Sequence, residues 1–184
     1  MTRRVVYGII VVLMLITMTA HAQQPMQELK TVDKVDLDRY VGKWYEVARF
    51  PNRFQEKCTG EVTATYIKRG DGRIDVINQC RTLNSGMTEA VGLARIVDTT
   101  SNAKLKVRFA PAWLGWLPMV WGDYWIVALA EDYSYAVIGE PSRNYLWILS
   151  RTPTMPENSW LMAVAQAQKQ GFDVAKLIKT TPGI

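Results

Sequence analysis

The side chains that could support catalysis are few, and histidine is the scarcest. The chain of 184 residues contains a single histidine, His21. It lies in the apolar segment at the amino terminus, so the rest of the chain offers no imidazole. Ser-His and Cys-His nucleophile pairs, histidine metal sites and histidine haem ligation all require one. We therefore predict no metal and no cofactor, and an enzyme here would depend on carboxylates, tyrosines, lysines or a thiol.

The two thiols belong to Cys58 and Cys80. Two cysteines in an exported chain fit one disulfide. The strands that carry them are predicted to form a hairpin around residues 70–72, and the cysteines are offset in that hairpin by four positions. That offset is roughly 13 Å at about 3.3 Å per residue, too far for a bridge unless the chain near Cys58 curls back.

The amino terminus resembles a secretory signal peptide. Arg3 and Arg4 precede an apolar run over residues 5–16, and Ala20-His21-Ala22 supplies small residues for cleavage. The alternative, a membrane anchor, needs about 20 apolar residues, and this run is broken by threonines and His21. We predict a signal peptide over residues 1–22 and one domain over residues 23–184.

Cysteine position and charge limit where the protein acts and what it binds. No cysteine comes directly after the apolar run, so we predict a periplasmic protein, secreted across the inner membrane and associated with the outer membrane at most, without a lipid anchor. The net charge is +5, and the basic residues are scattered along the chain. A nucleic-acid partner is therefore not expected.

The elements that must position these groups are mainly short strands separated by turn residues, a pattern typical of an all-β barrel or sandwich. After Pro153 the pattern becomes helical over residues 156–171, with Trp160, Leu161, Val164 and Ala167 on one stripe. This helix is expected to pack on the outer wall of the sheet. The predicted strands are 43–50, 61–69, 73–81, 88–97, 103–109, 121–130, 134–139 and 144–151.

Three segments carry a resemblance to a known family. Residues 35–50, which include Gly42-Lys43-Trp44, resemble the first lipocalin motif, residues 122–127 the second and residues 145–153 the third. Residues 44–50, 78–80 and 139–147 are similar to bacterial envelope lipocalins in particular. Those relatives often have an anchoring cysteine, which this chain lacks at that position.

The resemblance, which covers about residues 35–180, implies an eight-stranded antiparallel up-and-down β-barrel with a carboxy-terminal helix on its outside. In such a barrel Trp44, preceded by Gly42, closes one end. The guanidinium of Arg151 would then lie across the Trp44 indole and donate to the short amino-terminal turn, in a cation–π arrangement. We expect this group to be structural.

Strand alternation, anchored on Trp44, Arg151 and the family pattern, predicts which side chains face the barrel interior. Five alanines and a glycine cannot fill a barrel of this size, so a cavity with aliphatic and aromatic walls is expected. Two alternatives remain: a core filled by larger side chains, or a register wrong by one residue on some strands. The predicted interior residues are Ala64, Tyr66, Val76, Asn78, Ala90, Gly92, Ala94, Leu105, Val107, Phe109, Tyr124, Ile126, Ala128, Ala136, Ile138, Tyr145 and Trp147.

Polar contacts for a ligand are less clearly indicated. Glu46 faces inward by this alternation and needs a hydrogen-bonding partner, for which Tyr45 or another tyrosine is the candidate. An anionic headgroup could be met by Arg53, Lys57 or Arg108.

The connection between the fifth and sixth strands, residues 110–121, is unusually apolar. In lipocalin connectivity it lies at the open end of the barrel. There it could contact a membrane, cap the ligand, form a dimer contact, or fold back as a lid. Its candidate contact residues are Trp113, Leu114, Trp116, Leu117 and Trp121.

These observations favour a binding protein that stores or transports lipid-like ligands, such as fatty acids or lysophospholipids, in the bacterial envelope. One alternative is a lipocalin-fold enzyme acting on a bound lipid through Cys58, Cys80, Glu46 or a cavity tyrosine. Another is a membrane or assembly protein that uses residues 113–121. The expected oligomeric state is a monomer or a homodimer.

Overall fold

The predicted antiparallel barrel is confirmed by the computed structural model, which describes residues 27–84 and 86–183. The predicted signal peptide and His21 lie outside these residues. Each strand pairs with the next, and β1 pairs with both β8 and β2, which closes the barrel. The eight barrel strands, each overlapping a predicted one, are β1 Gly42–Arg49, β2 Cys58–Lys68, β3 Ile74–Thr82, β4 Gly86–Ile96, β5 Lys104–Arg108, β6 Gly122–Leu129, β7 Tyr135–Gly139 and β8 Leu146–Ser150.

Two helices and a ninth strand complete the fold: α1 is Leu37–Tyr40, α2 is Glu157–Lys169 and β9 is Ile178–Lys179. The sequence did not indicate β9, because two residues are too few for a periodic pattern. β9 pairs with β1 through Ala48 and Lys179. It lies where β1 and β2 separate, since their own pairing ends at Tyr45 and Thr63.

Helix α2 packs on the outer face of β6 and β7. The residues it buries completely are Ala163 and Ala167, whose small side chains let the helix approach the sheet closely. Trp160 and Val164 pack beside them. Leu161 was expected on this stripe but is exposed, because the buried face centres on the alanines. In the described residues, no helix is long and apolar enough to cross a membrane.

The barrel has one core inside and a second core between its outer wall and α2. Directly paired residues on antiparallel strands point to the same face. The row that joins Ile126, Ile138 and Trp147 faces inward, and the next row, Ala128, Val137 and Ile148, faces outward.

Two β-bulges shift this alternation, one between Glu46 and Ala48 and one between Ile126 and Ala128. A bulge adds one residue to a strand, so every position beyond it changes face. Ala128 was predicted to face the interior and lies in the outer core instead. Arg49, which strict alternation turns outward, pairs with Trp147 and joins an inward row.

Candidate functional site

The closed end of the barrel is built around Trp44, which is fully buried. Its Nε1 donates to the carbonyl oxygen of Tyr40 at 2.8 Å. The guanidinium carbon of Arg151 lies 3.8 Å from the centroid of the Trp44 ring. The Arg151 cation therefore packs on the face of the indole, and the last residue of α1 accepts a hydrogen bond from its edge.

The same guanidinium binds the chain that enters β1. Nη1 of Arg151 donates to the carbonyl oxygens of Val41 and Lys43, at 3.1 and 3.0 Å, and Nη2 donates to that of Tyr40 at 3.0 Å. Gly42 has a φ of +95°, a conformation that favours glycine. The turn at Gly42 therefore points the neighbouring carbonyl oxygens towards the Arg151 guanidinium.

Three tyrosines fill the space above Trp44. The hydroxyl of Tyr124 is 2.7 Å from that of Tyr40 and 2.8 Å from that of Tyr66. Burial disfavours the phenolate and raises the pKa of all three, that of Tyr66 to about 12. The floor of the barrel therefore carries neutral, mutually hydrogen-bonded hydroxyls.

The lower half of the barrel is packed. Ile126, Ala136 and Ile138 have 0% exposed surface and belong to the inner core. Their role in lining a ligand cavity stays a prediction. The predicted cavity residues that are buried are Ala64, Tyr66, Val76, Ala94, Leu105, Ile126, Ala136 and Ile138.

The upper half of the interior is open to solvent. Ala90 is exposed although it lies in the same row as Trp44, Ala64 and Asn78, so solvent reaches it from inside the barrel. Phe109 is 45% exposed. The predicted cavity residues that retain accessible surface are Asn78, Ala90, Val107, Phe109, Tyr124, Tyr145 and Trp147.

The Phe109 ring lies against Gly92. A Cβ added at Gly92 would come within 2.7 Å of that ring. The buried Gly92 thus makes room for an aromatic wall at the mouth of the barrel.

The β1–β2 connection covers part of the mouth with a 3-10 turn, Arg53–Gln55. The Gln55 side chain donates to Glu46 at 2.5 Å and accepts from Nε1 of Trp147 at 2.9 Å. Phe54 contacts Tyr145, whose ring stacks on Trp147 with centroids 5.9 Å apart. Aromatic rings therefore line this side of the opening.

Glu46 is a buried carboxylate at the top of β1. The predicted partner, a tyrosine, is wrong: Glu46 accepts from Thr180 at 2.5 Å, from Gln55 and from Arg49 at 3.3 Å. Burial raises the pKa of the Glu46 carboxyl, and these donors oppose the shift. A carboxylate held by three donors is fixed in position.

Strict strand alternation did not predict the cation beside Glu46, because the β1 bulge brings Arg49 inward. The three predicted headgroup cations lie elsewhere. Arg108 donates to the carbonyl oxygens of Pro111 and Ala112 at 2.9 and 3.0 Å. Arg53 and Lys57 are exposed in the β1–β2 connection.

The connection between β5 and β6 is ordered by two 3-10 turns, Ala112–Leu114 and Pro118–Val120. Trp121 donates from Nε1 to the Gly115 carbonyl at 2.7 Å, and Arg95 and Arg108 lie over its ring. Trp121 therefore holds the connection together and is not a free contact residue.

The remaining predicted contact residues of this connection divide by exposure. Trp113 and Trp116 are 73% and 77% exposed. Leu114 and Leu117 are half-buried. Among the predicted contact residues, the two tryptophans therefore offer the most exposed apolar surface.

The structure contains a disulfide between Cys58 and Cys80, with Cα atoms 5.6 Å apart. Register shifts between Cys58 and Gly60 and between Gly60 and Thr63 place Cys58 opposite Thr82. The start of β2 thus curls back, which shortens the four-residue offset. Neither sulfur is a free thiol.

Among protein-family models, the one described as a lipocalin-like domain matches residues 35–182. Among solved structures, insecticyanin from the tobacco hornworm Manduca sexta is similar in fold. Its TM-score is 0.66 at 20% identity, over 86% of this chain and 87% of that one.

Two relatives illustrate the sequence similarity. Temperature-induced lipocalin-1 of Arabidopsis thaliana is 44% identical over 157 residues, covering 84% of this chain and 83% of the relative. The outer membrane lipoprotein Blc of Escherichia coli K12 is 39% identical over 155 residues, with the same two coverages of 84% and 83%.

The bacterial relative corrects one prediction. Its name describes a lipoprotein of the outer membrane, which contradicts the prediction that this chain has no lipid anchor. That prediction depended on cysteine position near the amino terminus alone. Attachment to a membrane also depends on other features, such as apolar surface, which cysteine position does not report.

Proposed function

The chain belongs to the lipocalin family, and from that premise we propose that it stores or transports single-chain amphiphiles, fatty acids or lysophospholipids, in the bacterial cell envelope. Family membership supports the binding and transport of hydrophobic ligands in general. We further propose that residues 1–22 are a signal peptide and that residues 23–184 are one binding domain.

The observation that carries this proposal is the contrast between the two halves of the barrel interior. The lower half is packed around Trp44 and three tyrosines, and the upper half is accessible and lined by Phe109, Tyr145 and Trp147. Apolar walls with a few polar groups at the rim suit an acyl chain. The tail would enter from the mouth and stop at the packed floor.

An enzymatic alternative has less support. The two cysteines form a disulfide, Glu46 is occupied by three donors, and the floor tyrosines hydrogen-bond to one another. These groups serve the fold in the described residues, so a binding role is the simpler proposal.

The proposal predicts that affinity rises with the length of the acyl chain. Burying a methylene contributes about 0.8 kcal/mol, which is roughly a fourfold gain in affinity. We expect this gain for each methylene until the tail reaches the packed floor, and a plateau beyond. Native mass spectrometry of the purified protein, followed by delipidation and titration with fatty acids of graded length, measures it.

A matched pair of variants tests whether the mouth is the entry. Ala90→Trp would fill the accessible interior and is expected to abolish binding. Val91→Trp, on the next residue, points outward from the same strand and should bind as the unchanged protein does. Affinity that does not depend on chain length, or equal affinities of the two variants, would contradict the proposal.

A second candidate function is contact with a membrane surface. Leu83, Trp113, Trp116 and Met119 belong to connections at the open end, and each is at least 73% exposed. Large exposed apolar groups clustered at one end usually mark an interaction surface. We propose that this end meets the lipid surface from which the ligand is taken or to which it is delivered.

Serine substitutions at Trp113 and Trp116 are expected to weaken binding to phospholipid vesicles by at least about tenfold each. Burying ~100 Å² of apolar surface contributes about 2.5 kcal/mol. Vesicle co-sedimentation measures the effect, with Leu161→Ser as the control, because Leu161 is an exposed apolar residue on α2. If the double variant sediments like the unchanged protein, or only its size-exclusion behaviour changes, the rim is not a membrane contact.

A further inference from the structure

A small cavity lies at the seam where β1 and β2 separate and β9 enters between them. Its volume is about 150 Å³, and Arg49, Gly60, Thr180 and the disulfide-bonded Cys58 are among the residues that line it. Thr59 and Thr181, on its outer side, are exposed. The cavity therefore reaches the protein surface.

Arg49 brings an incompletely bonded cation to this cavity. The residue is 8% exposed. Nη1 is bound to Glu46, and the contact from Nη2 to the Gln55 carbonyl is long, at 3.4 Å. Its Nε is buried and has no hydrogen-bond partner among the described residues. A buried donor without an acceptor is costly, so such groups usually have a partner that the protein itself does not supply.

We propose that the seam cavity is an anion site in which Arg49 binds the carboxylate or phosphate group of a ligand. Nε and Nη2 lie on one edge of a guanidinium, and that edge matches the paired oxygens of a carboxylate or phosphate. The third nitrogen, Nη1, donates to Glu46, and this bond fixes the orientation of the guanidinium.

The composition of the cavity supports an anion. The hydroxyls of Thr59 and Thr181 are neutral, and both cations that line the cavity, Arg49 and Lys179, favour a negative group. Lys179 is exposed and lies over the Trp160 ring at 4.9 Å, whereas Arg49 is buried and held in position by Glu46. Glu46 is the opposing charge, but Thr180, Gln55 and Arg49 already donate to it. At roughly 30 Å³ per water, a cavity of about 150 Å³ has room for a carboxylate or phosphate group.

The site adjoins the barrel interior, because Arg49 pairs with Trp147 in an inward row and also lines the seam. A headgroup held at the seam could therefore belong to an amphiphile whose tail lies in the upper half of the barrel. This reading rests on the proposed function, whereas a free phosphate would bind the same donors without it.

The test compares ligands that differ only in charge, on the full chain after delipidation. Dodecanoate is expected to bind about 10- to 100-fold more tightly than dodecanol, the range for a charge-assisted hydrogen bond. The double variant Glu46→Gln with Arg49→Gln removes both charges and so leaves no unpaired buried carboxylate. We expect it to lose the preference by weakening dodecanoate alone, with dodecanol affinity reporting an intact barrel.

Two controls separate charge from disruption. Glu46→Gln alone keeps Arg49 and removes its counter-charge, so dodecanoate should bind at least as tightly as before. Lys169→Gln removes an exposed cation on α2 and should change neither ligand. If Glu46→Gln weakens dodecanoate as much as the double variant does, the effect is not due to Arg49 and the inference is wrong.

The remaining outcomes distinguish this inference from the proposed function. Equal binding of dodecanoate and dodecanol would mean that the cavity holds only water, which overturns the anion site and leaves lipid binding intact. If neither amphiphile binds, the proposed function fails, and titration with inorganic phosphate then tests the anion site by itself. Phosphate binding that is lost in the double variant would support a free-anion site, and no phosphate binding would overturn it.

Discussion

Replacement of Trp44 by alanine is expected to lower the free energy of unfolding by about 3–5 kcal/mol, the cost of truncating a large buried aromatic side chain. The ring is fully buried, its Nε1 is bonded to Tyr40, and the Arg151 guanidinium covers its face. The cavity left behind is bordered by packed tyrosines that have little freedom to collapse. Urea denaturation of the unchanged protein and the variant measures the difference.

Trp160→Ala is the matched control, because Lys179 lies over the Trp160 ring in a similar cation–π contact on a partly exposed helix face. Trp160→Ala should lower the free energy of unfolding by much less than Trp44→Ala does. A cycle with Arg151→Ala then gives the coupling between Arg151 and Trp44, expected at about 1 kcal/mol or more for residues in direct contact. If Trp44→Ala costs no more than Trp160→Ala, the closed end does not depend on this group.

Removal of the Cys58–Cys80 disulfide is expected to cost about 3 kcal/mol, since the bridge closes a loop with a sequence separation of 22 residues. The double variant Cys58→Ser with Cys80→Ser leaves all other contacts of β2 in place. Urea denaturation under non-reducing conditions should give a lower midpoint for the variant, with the slope showing whether the unfolded state also changes.

Reducing agent supplies the control for this prediction. The unchanged protein under reduction should fall to the stability of the double variant, and the variant should not respond. The bridge restrains the bulged start of β2, which also borders the seam cavity, so any anion affinity at Arg49 should weaken together with stability. Equal midpoints with and without the bridge would show that the curled segment is held by other contacts.

The strands and the outer helix were predictable from the sequence because their signals are local. Turn residues separate short runs in which apolar and polar residues alternate, as in strands. The helical spacing of apolar residues after Pro153 differs clearly from that alternation. The motifs around Trp44 and Arg151 then identified the family and the direction of the barrel. The helix stripe was less well predicted, since Leu161 is as apolar as its neighbours and only packing against β6 and β7 selects Ala163 and Ala167.

The interior of the barrel was predictable only as far as strict alternation holds. The bulge in β6 turns Ala128 outward and the bulge in β1 turns Arg49 inward. A bulge reflects how two strands meet, and no single strand records it in its own sequence. The same limit applies to packing, because sequence gives the sizes of Ile126, Ala136 and Ile138 but not whether neighbouring side chains close over them.

Residue types and their spacing were enough to predict the family, the order of the elements, the lack of histidine in the barrel and the pair of residues at its closed end. Only the folded chain shows where the accessible interior begins, which cation faces it, and how β9 enters between β1 and β2. These depend on contacts between segments far apart in the chain: Glu46 meets Thr180, and Gln55 meets Trp147. Such contacts form only when the barrel closes, so local pattern carries no record of them.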